Sequence, residues 1–292
     1  MGVNQWFKNF HSNVYMDSST VEKIKLRYRN ITKRINQEYW DSDSDTSHSL
    51  YVGSYGRGTA IYTSDIDIIV ELPYLVKNRF DQRLGNVQSQ LLTEVKEKLK
   101  NTYSTSKVSA DGQVIVINFS DGIKFEVVPV FKIYDDSYFY PDTNYGGSWK
   151  IMDPRKEMEE FNFRHRNKNY NLKKFCRMVR AWREEHGIIM SGELLDTIVY
   201  EFFDTAYYVE KDAYLYFDFI TRDFFNYLSE NAHRKFFTPG TYRTLEIECP
   251  YSTSSNSKKM SEKALDAISK EESFPYTAKS IWEEIYGRKF RE

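Results

Sequence analysis

The chain is poor in several features that commonly dictate a function. It has only two cysteines in 292 residues, Cys176 and Cys249, and neither stands in a Cys-x-x-Cys or Cys/His spacing. Neither a zinc centre nor a disulfide framework is therefore expected. No apolar run approaches a membrane span, and the opening segment Trp6-Phe7-Lys8-Asn9-Phe10-His11 lacks the charged-then-apolar order of a secretory leader. These absences predict a soluble, cytoplasmic protein with no membrane partner. Charge excess is missing too: 41 Lys and Arg against 42 Asp and Glu leave a formal net charge of −1. No global positive field advertises long nucleic acid as a partner, although a local patch is compatible with this balance. The five histidines (His11, His48, His165, His186, His233) are dispersed, and none is placed by spacing as a ligand or general base. Aromatics, by contrast, are abundant, with 23 Tyr and 20 Phe. The length allows two ordinary domains or one bilobal unit with a substantial core.

The most informative stretch is Gly53-Ser54-Tyr55-Gly56-Arg57-Gly58-Thr59, followed by Ser64-Asp65-Ile66-Asp67-Ile68-Ile69-Val70. On a strand, Asp65 and Asp67 point to one side while Ile66 and Ile68 point to the other. Adjacent carboxylates repel unless a cation lies between them, which suits one or two divalent metals. The glycine-rich turn just ahead can offer backbone N–H groups to a phosphate. Asp-x-Asp alone more often marks an exposed strand edge or a turn. Here the aliphatic run and the adjoining Gly-Ser turn favour a site for metal and a nucleoside triphosphate.

Gly53-Ser54, Arg57, Thr59 and Ser64-Asp65-Ile66-Asp67 resemble the signature of the DNA polymerase β nucleotidyltransferase superfamily. Within it the chain is most similar to the cGAS/DncV-like nucleotidyltransferases (CD-NTases) and the oligoadenylate synthetases. That resemblance implies a third carboxylate on a later strand just before Val-x-Pro, and Phe125-Glu126-Val127-Val128-Pro129 supplies it as Glu126. Many relatives carry Asp there, and Glu keeps the charge while reaching one methylene further. The alternative for Glu126 is a salt-bridged edge residue.

Apolar periodicity organises the remainder. It predicts helices over 18–40 (capped by Ser19 or Thr20), 83–100 (Leu84, Val87, Leu91, Leu92, Val95 and Leu99 inward), 168–186, 192–208, 214–229 and 259–273. Asp41-Ser42-Asp43-Ser44-Asp45 reads as a solvated linker rather than a second metal site. Strands are predicted over 113–119 and 123–131 around an Asp121-Gly122 hairpin signal. The Gly- and Pro-rich junction 140–149 reads as a lobe boundary, and the Ser-rich stretch 251–257 as a flexible loop. The expected fold is α/β + α: a bilobal polymerase β-like nucleotidyltransferase with a mixed-sheet catalytic lobe (41–150), a helical lobe (151–292) and an N-terminal helical spine (1–40).

From Arg164 to Arg183 there are eight Lys or Arg and no acid. Lys173, Arg177 and Arg180 share one helical side at i, i+4, i+7, beside the apolar Leu172, Phe175, Cys176 and Val179. A row of cations suits a triphosphate, although most such runs are solvated faces. Similarity to the donor-phosphate helix of the family favours Arg177 and Arg180 over Lys173 and Lys174. Ser191 opens the next helix as an N-cap, and in the family a serine here often also touches nucleotide. Trp149 and Asp142 are weaker candidates for contacting a base.

The resemblance implies two-metal nucleotidyl transfer with Mg2+ or Mn2+. Asp65, Asp67 and Glu126 would hold the ions, Gly53 and Ser54 the β and γ phosphates, and Arg177 and Arg180 the donor. Similarity to CD-NTases implies a cyclic dinucleotide, with cyclic di-GMP favoured and Asp142, Asp153 or Asp196 as candidate guanine acceptors. It also implies a role in antiphage signalling through a diffusible product, read by an effector such as a STING-type receptor. A linear, RNA- or protein-directed nucleotidyltransferase, a synthase using pyrimidine or adenine nucleotides, and a catalytically silent scaffold remain alternatives.

Overall fold

A computed structural model of the protein describes residues 2–103, 107–211 and 213–291. They form two units. One is helical, made of Met1–Met16, Gly58–Tyr62 and Lys156–Glu292, and the other is α/β, made of Asp17–Arg57 and Thr63–Arg155. The first 40 residues, expected as one spine, hold two helices, α1 (Val3–Asn13) and α2 (Ser18–Tyr39), one in each unit.

In the α/β unit the cap of α2 is Asp17 rather than Ser19 or Thr20. Its carboxylate accepts from the Thr20 amide at 2.9 Å and the Thr20 hydroxyl at 2.6 Å. A carboxylate there both satisfies an orphan N–H and opposes the positive end of the helix. The elements that follow are β1 (Ser49–Tyr51), α3 (Gly53–Arg57), β2 (Ile66–Glu71), α4 (Tyr74–Asp81) and α5 (Val87–Thr102). Five strands complete the unit: β3 (Lys107–Asp111), β4 (Val114–Asn118), β5 (Lys124–Lys132), β6 (Tyr138–Asp142) and β7 (Ser148–Met152). They make a seven-stranded sheet ordered β1–β2–β5–β4–β3, with β6 joined to β5 and β7. β2 and β5 run parallel and the other pairs antiparallel, so the sheet is mixed.

β5 contains Pro129, which cannot donate to a ladder. On one side β5 pairs with β4 through Lys124–Val127 and with β6 from Phe131 onward. The proline thus falls where the partner changes. Helix α5 packs on β3, β4 and β6 through the fully buried Leu91, Leu92, Val95 and Leu99. Leu84, expected on that apolar side, precedes the helix and is 92% exposed. The junction 140–149 is a β6–β7 hairpin. Tyr145, Gly146 and Gly147 take positive φ at its tip, so the turn chemistry is real but lies inside the sheet.

The helical unit adds α6 (Pro154–Asn167), α7 (Leu172–Glu185), α8 (Gly192–Thr205) and α9 (Ala213–Asn231). A short β8–β9 ribbon (Phe236–Phe237, Thr244–Leu245) leads to α10 (Pro250–Lys270), α11 (Pro275–Tyr286) and α12 (Arg288–Arg291). α7 is central, burying Leu172, Phe175, Cys176, Met178, Val179 and Trp182 completely. α1 inserts Phe7 and Phe10 among late residues: Phe7 meets Trp282 at 5.1 Å and Phe290 at 5.3 Å, and Phe10 meets Tyr286 at 4.6 Å. Edge and tilted aromatic contacts of this kind add to plain area burial. The serine-rich stretch 251–257 is not a loop but the first two turns of α10. Pro250 is set in its first turn, and Thr253, Ser257, Met260, Ala264 and Ala267 form a buried helical stripe, while α10 packs along α9. Small side chains let the two helices approach, and Ser254 donates to the Ser229 carbonyl at 2.8 Å.

Candidate active site

The α/β unit brings the predicted carboxylates to one sheet face. Asp67 lies in β2 directly opposite Glu126 in β5, and Ile69 opposite Val128 follows on the same face. Asp65 lies two residues before Asp67, just ahead of β2, and its side chain is 45% exposed. β1 feeds into α3, and the Val52 amide donates to the Asp67 carbonyl at 2.9 Å, fixing the turn against β2. Gly53 takes φ +57°, and a Cβ there would lie 2.7 Å from the Asp67 carboxyl carbon. Only glycine lets the backbone approach that carboxylate so closely. Ser54 and Arg57 of α3 are buried.

A fourth charge, which the sequence reading did not single out, shares this face. The Lys124 ammonium donates to Asp65 at 2.9 Å and to Glu126 at 2.6 Å. Burial works against its charge, but the hydrogen bonds to Asp65 and Glu126 outweigh it and lift its pKa above the ordinary lysine value. Lys124 and Glu126 stand at i, i+2 on β5, which was the available sequence signal. Among the described residues no group of three His, Cys, Asp or Glu is drawn together tightly enough to hold a metal ion. The donors nevertheless fit Mg2+ or Mn2+: they are all hard carboxylate oxygens, on a face that already binds a cation.

In the helical unit the basic run divides into different fates. Arg180, expected to face a triphosphate, is 4% exposed and committed to Asp196. Its Nε donates to Asp196 Oδ1 at 2.9 Å, and one Nη donates both to Oδ2 at 2.8 Å and to the Gly192 carbonyl at 2.9 Å. The Thr59 hydroxyl donates to the same carboxylate at 2.6 Å. Its cationic fork therefore organises the start of α8 inside the unit. Asp196, a candidate guanine acceptor, is occupied here by Arg180 and Thr59. Asp142 is held by Asn144 and Lys150 in the β6–β7 hairpin, and the Trp149 indole donates to Asp81 at 2.8 Å.

Arg177 is half-buried, donates to the Gly58 carbonyl at 2.6 Å and stacks over Tyr15 at 4.1 Å, while its Nε has no hydrogen-bond partner. His11 lies beside it, 3.5 Å from Arg177 Nη1 and 2.9 Å from the Tyr214 hydroxyl. Because Arg only donates, the His11 Nε2 accepts there and Nδ1 carries the proton. Burial, then Arg177 and Lys174, push the His11 pKa down to about 3, so this histidine is neutral. Burial lowers the pKa values of Lys173 and Arg177 as well. Lys173 donates to Asn162 at 2.5 Å, and Lys174 stands over the Tyr214 ring. Ser191 is the N-cap of α8, accepting from the Leu194 amide at 3.1 Å, and borders an open groove of about 460 Å³ shared with Arg183, Ile188, Met190 and Glu248.

Residues 1–167 match the family described as "Second Messenger Oligonucleotide or Dinucleotide Synthetase domain" (SMODS). A probable cyclic nucleotide synthase of Bacillus cereus (strain VD146) is 23% identical over 178 residues, covering 57% of this chain and 51% of that protein. The matched stretch thus spans about half of that relative's length. Among solved structures, the Vibrio cholerae DncV cyclic AMP-GMP synthase bound to a linear intermediate superposes with a TM-score of 0.73 at 14% identity, covering 99% of this chain and 96% of its own. The E. coli MS115-1 CdnC in complex with HORMA-deltaN gives 0.71 at 13% identity, covering 99% and 98%. At such identities these likenesses speak to the fold, which is that of the polymerase β-like enzymes. The chain belongs to the SMODS family and has the fold of the cGAS/DncV-like nucleotidyltransferases.

Proposed function

We propose that this protein is a metal-dependent nucleotidyltransferase that joins two nucleoside triphosphates into a cyclic dinucleotide and releases pyrophosphate. The observation that carries the reading is Asp67 in register with Glu126, with Asp65 two residues away and Gly53 folded against the Asp67 carboxylate. Asp65, Asp67 and Glu126 would hold two Mg2+ or Mn2+ ions. When bound, such ions acidify a ribose hydroxyl and offset charge on the leaving pyrophosphate. No nucleophilic side chain is required. Gly53 and Ser54 would receive the β and γ phosphates. In the helical unit, Arg177 is the proposed phosphate contact and Ser191 the proposed nucleotide contact. Arg180 supports them indirectly, through Asp196 and the start of α8.

Guanine is the favoured base, giving cyclic di-GMP. Asp142, Asp153 and Asp196 all have partners within the protein, so a guanine acceptor among them would exchange one of those partners for the base. The product would be a diffusible cytoplasmic signal in antiphage defence, received by an effector such as a STING-type receptor. Support for this comes from membership of a second-messenger synthetase family. The test is mass spectrometry of products from the four triphosphates with Mg2+ or Mn2+, before and after phosphatase. A phosphatase-resistant dinucleotide from GTP alone is expected. A linear product overturns the cyclisation, a requirement for ATP or UTP overturns the base, and absence of pyrophosphate overturns the enzyme.

A further inference from the structure

Three carboxylates gathered on one sheet face without a counter-ion repel one another, and a fold that keeps such a site before metal arrives must offset that repulsion. Here the offset is built into the chain. Lys124 sits two residues before Glu126 on β5, and its ammonium lies within hydrogen-bond distance of both Asp65 and Glu126, which come from different strand segments. It thereby joins the two outer members of the carboxylate set. With a side chain 31% exposed on a flexible four-carbon stem, the ammonium has a solvent route by which to leave.

We propose that Lys124 is a resident counter-ion that competes with divalent metal for Asp65 and Glu126, and so sets the metal concentration at which the site fills. This rests on the metal site proposed above. A lysine that merely bridged two strand edges would stabilise the fold equally with and without metal. A competing lysine must be displaced, so metal binding carries the cost of breaking two charge-assisted hydrogen bonds. Those bonds are partly exposed and screened, which limits the cost to about a tenfold change in affinity.

The test is Mn2+ binding to the full-length, nucleotide-free protein by calorimetry, with thermal unfolding in chelator and in Mn2+. Lys124→Met should bind Mn2+ about tenfold more tightly than wild type. It should also unfold at a lower temperature in chelator, where the carboxylates lack their counter-ion, and gain more than wild type when Mn2+ is added. Lys124→Arg, which keeps the charge, should stay near wild-type affinity. Lys124→Gln serves if the Met variant does not fold. Unchanged or weaker Mn2+ affinity in the neutral variants overturns the proposal. Asp67→Asn separates the two readings: if it abolishes Mn2+ binding while the neutral variants leave affinity unchanged, only the role of Lys124 fails. If Asp67→Asn binds Mn2+ like wild type, the metal site itself fails and the competition with it.

Discussion

Replacing Arg180 by Ala distinguishes a phosphate clamp from a structural pair. The Arg180 and Asp196 side chains are 5% and 2% exposed and form a bidentate pair, so little solvent screening applies. Removing one partner of a buried pair strands the other charge in a poor solvent, which costs about 3–5 kcal/mol. The Thr59 hydroxyl alone cannot replace two guanidinium donors. In a domain of this size each kcal/mol lowers the melting temperature by about 2–4 °C, so a drop of roughly 10 °C is expected. The double variant Arg180→Met with Asp196→Leu should recover most of that loss, since the stranded charge disappears with its partner. Calorimetric or circular-dichroism melting in nucleotide-free buffer measures both. A melting temperature within about 2 °C of wild type, together with a tenfold higher nucleotide requirement, would refute this reasoning and return Arg180 to the phosphate.

Asp67→Asn and Glu126→Gln should each nearly abolish product formation. Metal-free melting should stay level or rise in Asp67→Asn, where repulsion is relieved, and should not rise in Glu126→Gln, which loses the charge-assisted bond from Lys124; mass spectrometry and melting in chelator check both. Gly53→Ala should cost product formation and stability together, because the added methyl meets the Asp67 carboxyl group at a backbone φ of +57°. A variant active and stable at wild-type levels contradicts the close approach. The helical unit should also lose stability as pH rises from acid to neutral. Burial raises the Asp218 carboxyl to about 6, and burial together with Asp218 raises that of Glu271 to about 8. Arg222 lies near the pair, and the Trp282 indole donates to Glu271 at 3.0 Å. Raised carboxyl pKa values mean that the folded state holds extra protons, so this stability is complete below about pH 4 and is lost as pH rises through 6 to 8. Melting temperature should fall across that window, and Glu271→Gln should flatten the fall; an identical pH profile in the variant rules the pair out.

The strand that carries Asp67 was legible because its physics is local: Ile66 and Ile68 alternate with the acids, and glycine announces the tight turn. That Asp67 would face Glu126 was implied only by resemblance, since strand register across 59 residues leaves no periodic trace. The basic run shows the opposite limit. A sequence displays the cations of α7 but not their partners, and Asp196, 16 residues beyond Arg180 and on another helix, claims one of the two that were favoured. The 251–257 stretch misled through composition: serine and threonine favour loops when exposed, but their small size is what a close helix pair needs. In the 140–149 junction the turn residues were recognised, while the short flanking strands, stabilised by each other rather than by their own pattern, were not.

The placement of α1 has a consequence for the order of events during synthesis. Phe7 and Phe10 are made well before the rings that enclose them, Trp282, Tyr286 and Phe290, which lie more than 270 residues further along the chain. At about 5–20 residues per second, that interval is on the order of tens of seconds. The α/β unit ends at Arg155 and can close on the ribosome while α1 still waits. A nascent chain therefore carries an unburied aromatic helix ahead of a finished sheet, and the helical unit becomes whole only when its final turn arrives.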